Sequence, residues 1–408
     1  MVTVRAPRRR HLVMLGDRAS LPDPDPATLE RSIALSRLVS TEIAASADGA
    51  IGFDRYMELA LYAPGLGYYS AGNAIFGDHG DFVTAPESGN LFARCLARQC
   101  DEIMRHSGAR IVEYGAGSGQ LAVALAATLF AEDTQRSYHI VEPSASLRAR
   151  QQALVAAEHP VDAARFSWSA THPTASGCGV IVANEVIDAM PARRYRVTHG
   201  VVHELGVGIA GDRFVWRELR SRPVPPELAV AIGAYADGYT CERHAGLIDW
   251  CRDLRRVIDR GVVLISDYGY AGHEYLHPSR SDGTLKCHYR HHVHADPFVL
   301  PGAQDLTVAV DFTALAEAAH AVGFRVAGYT TQTRFLLACG VDTIIAASST
   351  GNAVDAYVLA QEAKRLLLPG EMGETCKFMA LAIDYDAPLS GFAADERHRL
   401  DGFTDRQD

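Results

Sequence analysis

The sequence IVEYGAGSGQL, residues 111–121, joins a short apolar run to three alternating glycines, Gly115, Gly117 and Gly119. The segment that follows, 121–130, is rich in alanine and leucine, and its composition predicts a helix. A strand, a glycine turn and a helix in this order form the entrance to a nucleotide-binding βαβ unit. The glycines allow a tight turn and let the backbone approach a ligand without a Cβ atom in the way.

The spacing of these glycines favours one kind of nucleotide cofactor. A dinucleotide-binding turn needs a glycine at position 120, where this chain has Gln120, so a nicotinamide-dependent oxidoreductase is disfavoured. The pattern G-x-G-x-G, preceded by Glu113 two residues before its first glycine, is typical of methyltransferases that use S-adenosylmethionine (SAM). A second predicted strand, 137–141, ends at Glu142, which we expect to accept hydrogen bonds from the ribose hydroxyls. The alternative is an ordinary carboxylate at a strand end.

The composition limits the classes of partner. The 408 residues carry 39 Lys and Arg against 49 Asp and Glu, so the net charge is −10. This balance argues against general binding to nucleic acid and is compatible with a cationic partner. The sequence has no run of 18 apolar residues, so membrane insertion is not predicted.

The cysteines and histidines give no metal-binding pattern. The eight cysteines are scattered singly without a C-x-x-C pair, which predicts free thiols in the reducing cytoplasm. Three histidines lie close together at 291, 292 and 294, but neighbouring residues of an extended loop point in different directions. We therefore predict no metal site, and we expect Arg290 and His291 to face substrate instead.

The alternation of predicted strands and helices indicates an α/β fold. Five strands alternate with helices and two more follow near the end, which predicts a doubly wound seven-stranded sheet with an N-terminal helical extension and an inserted subdomain. The proline-rich and acidic part of the N-terminus predicts disorder, although its arginine-rich start also resembles a targeting peptide. The predicted divisions are a disordered lead 1–28, a helical and loop extension 29–106, a first cofactor-domain part 107–192, an insertion 193–260, a second cofactor-domain part 261–385 and a tail 386–408.

Polar residues collect where the predicted strands end. In doubly wound sheets, ligands bind outside the carboxyl ends of the strands. The residues that follow strand ends in this way are Glu113, Glu142, Asn184, Glu185, Asp188 and Asp267. A long loop, 61–92, is dense in glycine and aromatic residues, and loops of this length are often functional. Its polar candidates for cofactor binding are Asp81, Thr84 and Glu87, each of which has a helix cap as its alternative.

Several motifs of this chain together resemble the MidA family of SAM-dependent methyltransferase-like proteins. The motifs that carry the resemblance are GDFVTAPE (80–87), EYGAGSG (113–119), VEPSASLRARQ (141–151), ANEVIDAMP (183–191), SDYG (266–269), DLTVAVDF (305–312) and LPGEMGETCKFMAL (368–381). The resemblance implies a class I methyltransferase fold with an inserted domain. The family includes a mitochondrial arginine methyltransferase that assists assembly of respiratory complex I. Departures from the family pattern are Ala116, where proline is common, and Val186-Ile187, where aromatic residues are frequent.

The residues assigned to the cofactor and to the acceptor suggest a mechanism. Glu113 is expected to bind the methionine amino group, the glycine turn its carboxylate and Glu142 the ribose. A guanidinium is a poor nucleophile because its pKa exceeds 12, and two carboxylates can hold it bidentately and polarise it. Glu185 and Asp188 are the predicted catalytic pair, and Asn184 could add an amide carbonyl. Their alternative is a helix cap and a surface acid.

The predicted function is transfer of methyl groups to a protein arginine, with a respiratory complex I subunit among the candidate acceptors. The sequence is also compatible with a homodimer. We expect the insertion 193–260 to cover the acceptor side, because both of its stems leave the sheet at strand ends. Two other hypotheses stay open: a non-catalytic assembly factor that retained the cofactor fold, and an enzyme that methylates small molecules.

Overall fold

The computed structural model describes residues 21–71, 89–348 and 352–400. Its strands, in chain order, are β1 (Ala50–Gly52), β2 (Arg110–Tyr114), β3 (Ser137–Val141), β4 (Phe166–Ser169), β5 (Gly177–Asn184), β6 (Ala192–Thr198), β7 (Val201–Ala210), β8 (Arg213–Leu219), β9 (Thr240–His244), β10 (Ile258–Tyr270), β11 (Lys286–Tyr289), β12 (His292–His294), β13 (Asp305–Thr307), β14 (Val310–Asp311), β15 (Arg325–Thr331) and β16 (Cys376–Ile383).

The helices begin and end between these strands. In chain order they are α1 (Pro26–Ala45), α2 (Phe53–Tyr62), α3 (Leu91–His106), α4 (Gln120–Glu132), α5 (Ala145–Glu158), α6 (Pro226–Ile232), α7 (Leu247–Val257), α8 (Gly272–Tyr275), α9 (Phe312–Ala321), α10 (Gln332–Ala338), α11 (Val341–Ser348), α12 (Ala353–Leu367) and α13 (Met372–Thr375). Within the described ranges, none of these helices is both long and apolar enough to cross a membrane.

The described residues form two compact units. The smaller unit takes residues 21–71, 189–245 and 276–308, and the larger unit takes residues 89–188, 246–275, 309–348 and 352–400. The divisions that we predicted at 29, 107, 193, 261 and 386 stay a prediction.

The larger unit is built on one sheet, which has the predicted doubly wound arrangement. Its strand order is β15-β16-β10-β5-β2-β3-β4, with β14 paired to β10. The pairs from β10 to β4 are parallel, and β16 is antiparallel to both of its neighbours. All seven predicted strands are present, and β14 adds an eighth of two residues. This arrangement confirms the predicted α/β class.

The register of the parallel strands aligns their carboxyl ends. Tyr114, at the end of β2, pairs with Val141 of β3 and with Ala183 of β5. Asn184 of β5 pairs with Ser266 of β10. Because parallel pairing aligns these positions, the residues that follow them lie along one edge of the sheet. Buried valine, isoleucine and leucine side chains of β2, β5 and β10 pack against α3 and α4 beneath this edge.

The smaller unit contains two antiparallel sheets. The first has the order β1-β7-β6-β9, with β8 paired to β7, and the second has the order β12-β11-β13. Its core joins aromatic side chains of α2 to those of β8 and of the segment before β13, where Tyr56 lies edge-on to both Phe214 and Phe298.

Some local predictions were wrong. The predicted hairpin over 201–219 is present as β7 and β8, but β6 and β9, which flank it in the sequence, were not predicted as strands. The histidine-rich segment after β10, predicted to be a loop, contains β11, β12 and β13. The segment 335–367 was predicted as a helix, a short strand and a helix, but the region of α11 is not a strand. It is a helix because its apolar side chains, Val341 and Ile344, are buried at helical spacing.

Candidate active site

The glycine turn connects β2 to α4 in the conformation that its sequence requires. The φ angles of Gly115, Gly117 and Gly119 are 64°, 53° and 89°, all in the left-handed region that favours glycine. A Cβ atom on Gly115 would lie 3.1 Å from Val186 Cγ2, and one on Gly119 would lie 3.2 Å from Gln151 Cγ. The turn leads directly into α4, whose first N–H groups have no partner within the helix. These groups form a site suited to a carboxylate.

Glu113 lies buried in β2 beneath this turn. Its Oε2 accepts a hydrogen bond of 2.7 Å from the hydroxyl of Tyr138 on β3. Burial raises the pKa of Glu113 to about 7, with a smaller contribution from the charge of Glu142, while the Tyr138 hydrogen bond acts in the opposite direction. A cationic amino group near Glu113 would favour its ionised form.

Glu142 follows β3 and is also buried. Its Oε1 accepts a hydrogen bond of 2.9 Å from the backbone N–H of Ser144, and its Oε2 accepts one of 3.3 Å from Nε2 of Gln151. Burial raises the pKa of Glu142, and these hydrogen bonds lower it. Each carboxylate oxygen can accept a further hydrogen bond, which fits the two hydroxyls of a ribose.

Glu185 stands directly after β5 with an unusual backbone conformation. Its φ angle is 52°, which costs on the order of 1–3 kcal/mol for a residue other than glycine. The conformation is supported by the hydrogen bond of 2.8 Å from the N–H of Glu185 to the carbonyl of Ser266 on β10. The side-chain amide of Asn184 donates a hydrogen bond of 3.4 Å to Glu185 Oε1. Asn184 Oδ1 is buried and accepts no hydrogen bond from the described residues.

Asp267, on the neighbouring strand β10, accepts hydrogen bonds from the backbone that follows Glu185. Its Oδ2 accepts hydrogen bonds from the N–H groups of Ile187 (2.9 Å) and Asp188 (3.3 Å), and its Oδ1 accepts one from Tyr268 (2.8 Å). The side chain is fully buried. Burial and the nearby charge of Glu185 raise the pKa of Asp267 to about 8, against the effect of these hydrogen bonds.

The structure therefore brings several predicted residues together. Glu185, Asp188 and Asp267 form one acidic cluster, and their surroundings include Tyr268 and Cys376. Burial, followed by the charges of Glu185, Cys376 and Asp188, raises the pKa of the Tyr268 hydroxyl well above its ordinary value. Glu113 and Glu142 form a second group with the glycine turn. The assignment of either group to a ligand stays a prediction.

Two residues that support these groups had no predicted role. Asp267 was noted as a strand-end acid, but the sequence does not show that it binds the backbone of 187–188. Gln151 is the last residue of the motif 141–151. The sign that could have indicated its role is the presence of a polar residue on the buried face of α5, between Leu147 and Val155.

Other predicted candidates lie elsewhere. Asp81, Thr84 and Glu87 lie outside the described residues. Arg290 and His291 occupy the turn between β11 and β12 in the smaller unit, where Arg290 donates hydrogen bonds to the Asp23 carbonyl and to Asp25. Within the described ranges, no group of three histidine, cysteine, aspartate or glutamate side chains could hold a metal ion.

The larger unit has the elements that SAM requires. SAM carries no phosphate, so its site needs carboxylates and backbone N–H groups more than lysines. The close approach at Gly115 and Gly119, the N-terminal end of α4 and the buried Glu113 and Glu142 are of the kind that this site needs. Fold and site together define a SAM-dependent methyltransferase of the class I type.

Comparison with known proteins gives the family. Residues 93–330 match the family described as "Putative S-adenosyl-L-methionine-dependent methyltransferase", and the chain belongs to this family. A crystal structure from Burkholderia thailandensis, bound to S-adenosyl-homocysteine, is 40% identical, with a TM-score of 0.88, and the match covers 93% of this chain and 100% of that one. The predicted MidA membership, the class I fold and the SAM cofactor are confirmed.

Curated relatives are more distant. The zebrafish (Danio rerio) protein arginine methyltransferase NDUFAF7, mitochondrial, is 28% identical over 87% of this chain and 88% of its own length. The human protein of the same name is 27% identical over 82% of this chain and 80% of its own length. These names describe the activity and location of the relatives.

Proposed function

We propose that this protein transfers methyl groups from SAM to an arginine side chain of a protein. The observation that carries the proposal is the acidic cluster formed where β5 and β10 end. Glu185 is held there in a left-handed conformation, Asp188 follows three residues later, and Asp267 fixes the turn between them. Backbone strain of this kind persists where the surrounding structure enforces it, often at active sites.

The charges of the cluster favour a cationic acceptor. Burial and the charge of Glu185 raise the pKa of Asp267, so the cluster is a place where negative charge is unfavourable. A guanidinium bound between Glu185 and Asp188 would offset this negative charge. It would also be fixed in one plane by bidentate hydrogen bonds, which lysine cannot form. The chemistry of the cluster therefore matches arginine better than lysine.

The residues would assist the reaction by orientation and charge. Bound SAM supplies a methyl group on a positively charged sulfur. Glu185 and Asp188 would hold two guanidinium nitrogens and concentrate the positive charge on them, so that the third nitrogen is a better nucleophile. The new N–C bond forms as the C–S bond breaks, S-adenosylhomocysteine leaves, and the proton lost from nitrogen passes to a carboxylate of the pair. Asn184 Oδ1, buried and able to accept a hydrogen bond, would help to orient the same group.

The relatives support the protein acceptor and suggest where it belongs. The curated relatives bear the name protein arginine methyltransferase at 27–28% identity. The resemblance to the MidA family, which includes a mitochondrial arginine methyltransferase that assists complex I assembly, makes a respiratory complex I subunit a candidate acceptor. All eight cysteines are free, in agreement with a reducing compartment, and we propose a cytoplasmic location. A homodimer also stays a proposal.

The experiment that tests the acceptor identifies the methylated residue. The purified protein is incubated with radiolabelled SAM and a lysate of cells from which its gene was deleted, and the proteins are hydrolysed to amino acids. We expect the label to elute with methylarginines. Label in methyl-lysine, or only in small molecules that pass a filter, would overturn the arginine proposal. An absence of transfer despite SAM binding would favour the non-catalytic assembly factor.

A further inference from the structure

Helix α5 has a polar residue at the centre of its buried face. Its three buried side chains, Leu147, Gln151 and Val155, are spaced four residues apart, which places them on one stripe of the helix. Two of them are aliphatic, as expected for a stripe that packs on a sheet. Gln151 between them is fully buried. Burying an amide is unfavourable unless it makes hydrogen bonds, so its contacts should explain its presence.

The amide of Gln151 connects the two halves of the cofactor site. Its Nε2 donates a hydrogen bond of 2.9 Å to the carbonyl of Gly117, in the glycine turn, and one of 3.3 Å to Oε2 of Glu142. Both partners are acceptors, so the amide cannot be turned over without bringing its oxygen against two other oxygens. In the orientation that results, Oε1 receives no hydrogen bond from the described residues. The NH₂ group of Gln151 therefore makes both of the hydrogen bonds that the amide forms with the described residues.

The backbone of the turn also depends on Gln151. A Cβ atom on Gly119 would lie 3.2 Å from Cγ and 3.5 Å from Cα of Gln151, so the turn approaches α5 as closely as a glycine permits. Gln151 thus contacts the turn by packing at Gly119 and by a hydrogen bond at Gly117. Ser144, which caps α5, completes the arrangement by donating to the other oxygen of Glu142.

We propose that Gln151 is a positioning residue of the SAM site, which fixes the glycine turn and the Glu142 carboxylate relative to each other. The turn is expected to face the amino-acid part of SAM and Glu142 its ribose. One side chain then sets the distance between the groups that bind the amino-acid part and the ribose of the cofactor. The inference rests on the ribose role proposed for Glu142. It does not depend on the identity of the methyl acceptor.

The substitution that tests this role is Gln151→Met. Methionine fills a similar volume, matches the aliphatic neighbours and removes both hydrogen bonds, so the variant should fold. Gln152→Met is the matched control, because Gln152 is exposed on the same helix. The probe is S-adenosylhomocysteine, and its dissociation constant is measured by calorimetry. We expect about a tenfold rise for Gln151→Met and less than a twofold change for Gln152→Met.

A double-mutant cycle separates positioning from simple stability. If Gln151 acts through Glu142, the variant with both Gln151→Met and Glu142→Gln should bind only slightly more weakly than Glu142→Gln alone. The urea midpoint of Gln151→Met should not fall below that of the wild type. Wild-type affinity in Gln151→Met, or losses that simply multiply in the double variant, would overturn the proposal. Unchanged affinity in Glu142→Gln alone would remove the ribose role of Glu142 and this inference with it.

A second variant, which places a negative charge at position 151, tests the same role independently. Gln151→Glu places a carboxylate against the Gly117 carbonyl and Glu142, so at pH 8 it should bind the probe more weakly than Gln151→Met. Lowering the pH to about 5.5 should recover part of the affinity relative to wild type at the same pH, because a protonated carboxyl can donate one hydrogen bond. Equal affinity of Gln151→Glu and wild type at pH 8 would contradict the role.

Discussion

Burial gives Glu113 a property that an exposed glutamate lacks. Its pKa is about 7, so over the range between pH 5 and pH 7 the folded protein retains a proton that the unfolded chain has lost. The folded state then binds more protons than the unfolded state, and stability must decrease as the pH rises through this window. The Tyr138 hydroxyl limits the effect because its hydrogen bond favours the ionised carboxylate.

We predict that Glu113→Gln reduces this dependence of stability on pH. The free energy of unfolding of the wild type should fall between pH 5 and pH 7.5 by more than that of Glu113→Gln, with a difference on the order of 3 kcal/mol. Urea unfolding at several pH values measures both slopes. Glu158→Gln, a change at an exposed residue of α5, should retain the wild-type slope. Identical slopes for wild type and Glu113→Gln would mean that Glu113 does not titrate in this range.

Sequence reasoning located residues better than it located their contacts. Glu113, Glu142 and Glu185 were recognisable because strand ends and glycine spacing are local signals. The roles of Gln151 and Asp267 depend on hydrogen bonds to residues 34 and 80 positions away along the chain. Contacts at that separation are fixed by the packing of helices and strands, which a single sequence does not specify.

At the scale of elements, the turn after β5 depends on its neighbour β10. Glu185 can keep a φ of 52° because the N–H groups of 187 and 188 are bound to the Asp267 carboxylate at the end of β10. Asparagine at 267 would offer one acceptor oxygen, and its NH₂ group would face a backbone N–H. The turn would then leave at least one buried N–H group without an acceptor, which costs about 1–3 kcal/mol.

We predict that Asp267→Asn slows methyl transfer roughly 10- to 100-fold and changes SAM affinity less than threefold. The reason is that a loosened turn misplaces Glu185 and Asp188, while the glycine turn and Glu142 are untouched. Asp259→Asn, at an exposed position of the same strand, is the control and should be as active as the wild type. Single-turnover rates and calorimetry measure the two quantities. A fully active Asp267→Asn would show that the turn does not need this carboxylate.

Element prediction succeeded where burial dominates the sequence pattern. The strands β5, β10 and β16 each contain an apolar run, and these strands were predicted correctly. Strand β6 was missed because it contains three arginines, two of which make ion pairs with the buried Glu204 and Glu242. Such ion pairs allow a charged strand to pack in a core. Their partners lie on other strands, so the sequence of β6 alone does not reveal them.

For the whole molecule, the class I sheet and the family assignment agree on a SAM-dependent methyltransferase. The net charge of −10 suits an acceptor segment that is cationic. Within the larger unit, the two groups of acids are placed by different strands. Glu113 lies in β2 and Glu142 follows β3, whereas Glu185 and Asp188 follow β5 and Asp267 lies in β10. Cofactor binding and acceptor chemistry should therefore respond to different substitutions.

The substitution Glu185→Gln tests whether the acidic cluster acts in methyl transfer. The substitution keeps the size and hydrogen-bonding capacity of the side chain and removes the charge that would orient a guanidinium. The measurement is single-turnover transfer of a labelled methyl group to acceptor proteins in the gene-deleted lysate, with SAM affinity measured in parallel. Glu158→Gln serves as the exposed control.

We expect Glu185→Gln to transfer the methyl group on the order of 10²–10³ times more slowly than the wild type, while its SAM affinity stays within about threefold. The control should be as fast as the wild type. Equal rates for Glu185→Gln and wild type would contradict a catalytic role for the acidic cluster, and a collapse of SAM affinity would instead place Glu185 in the cofactor site.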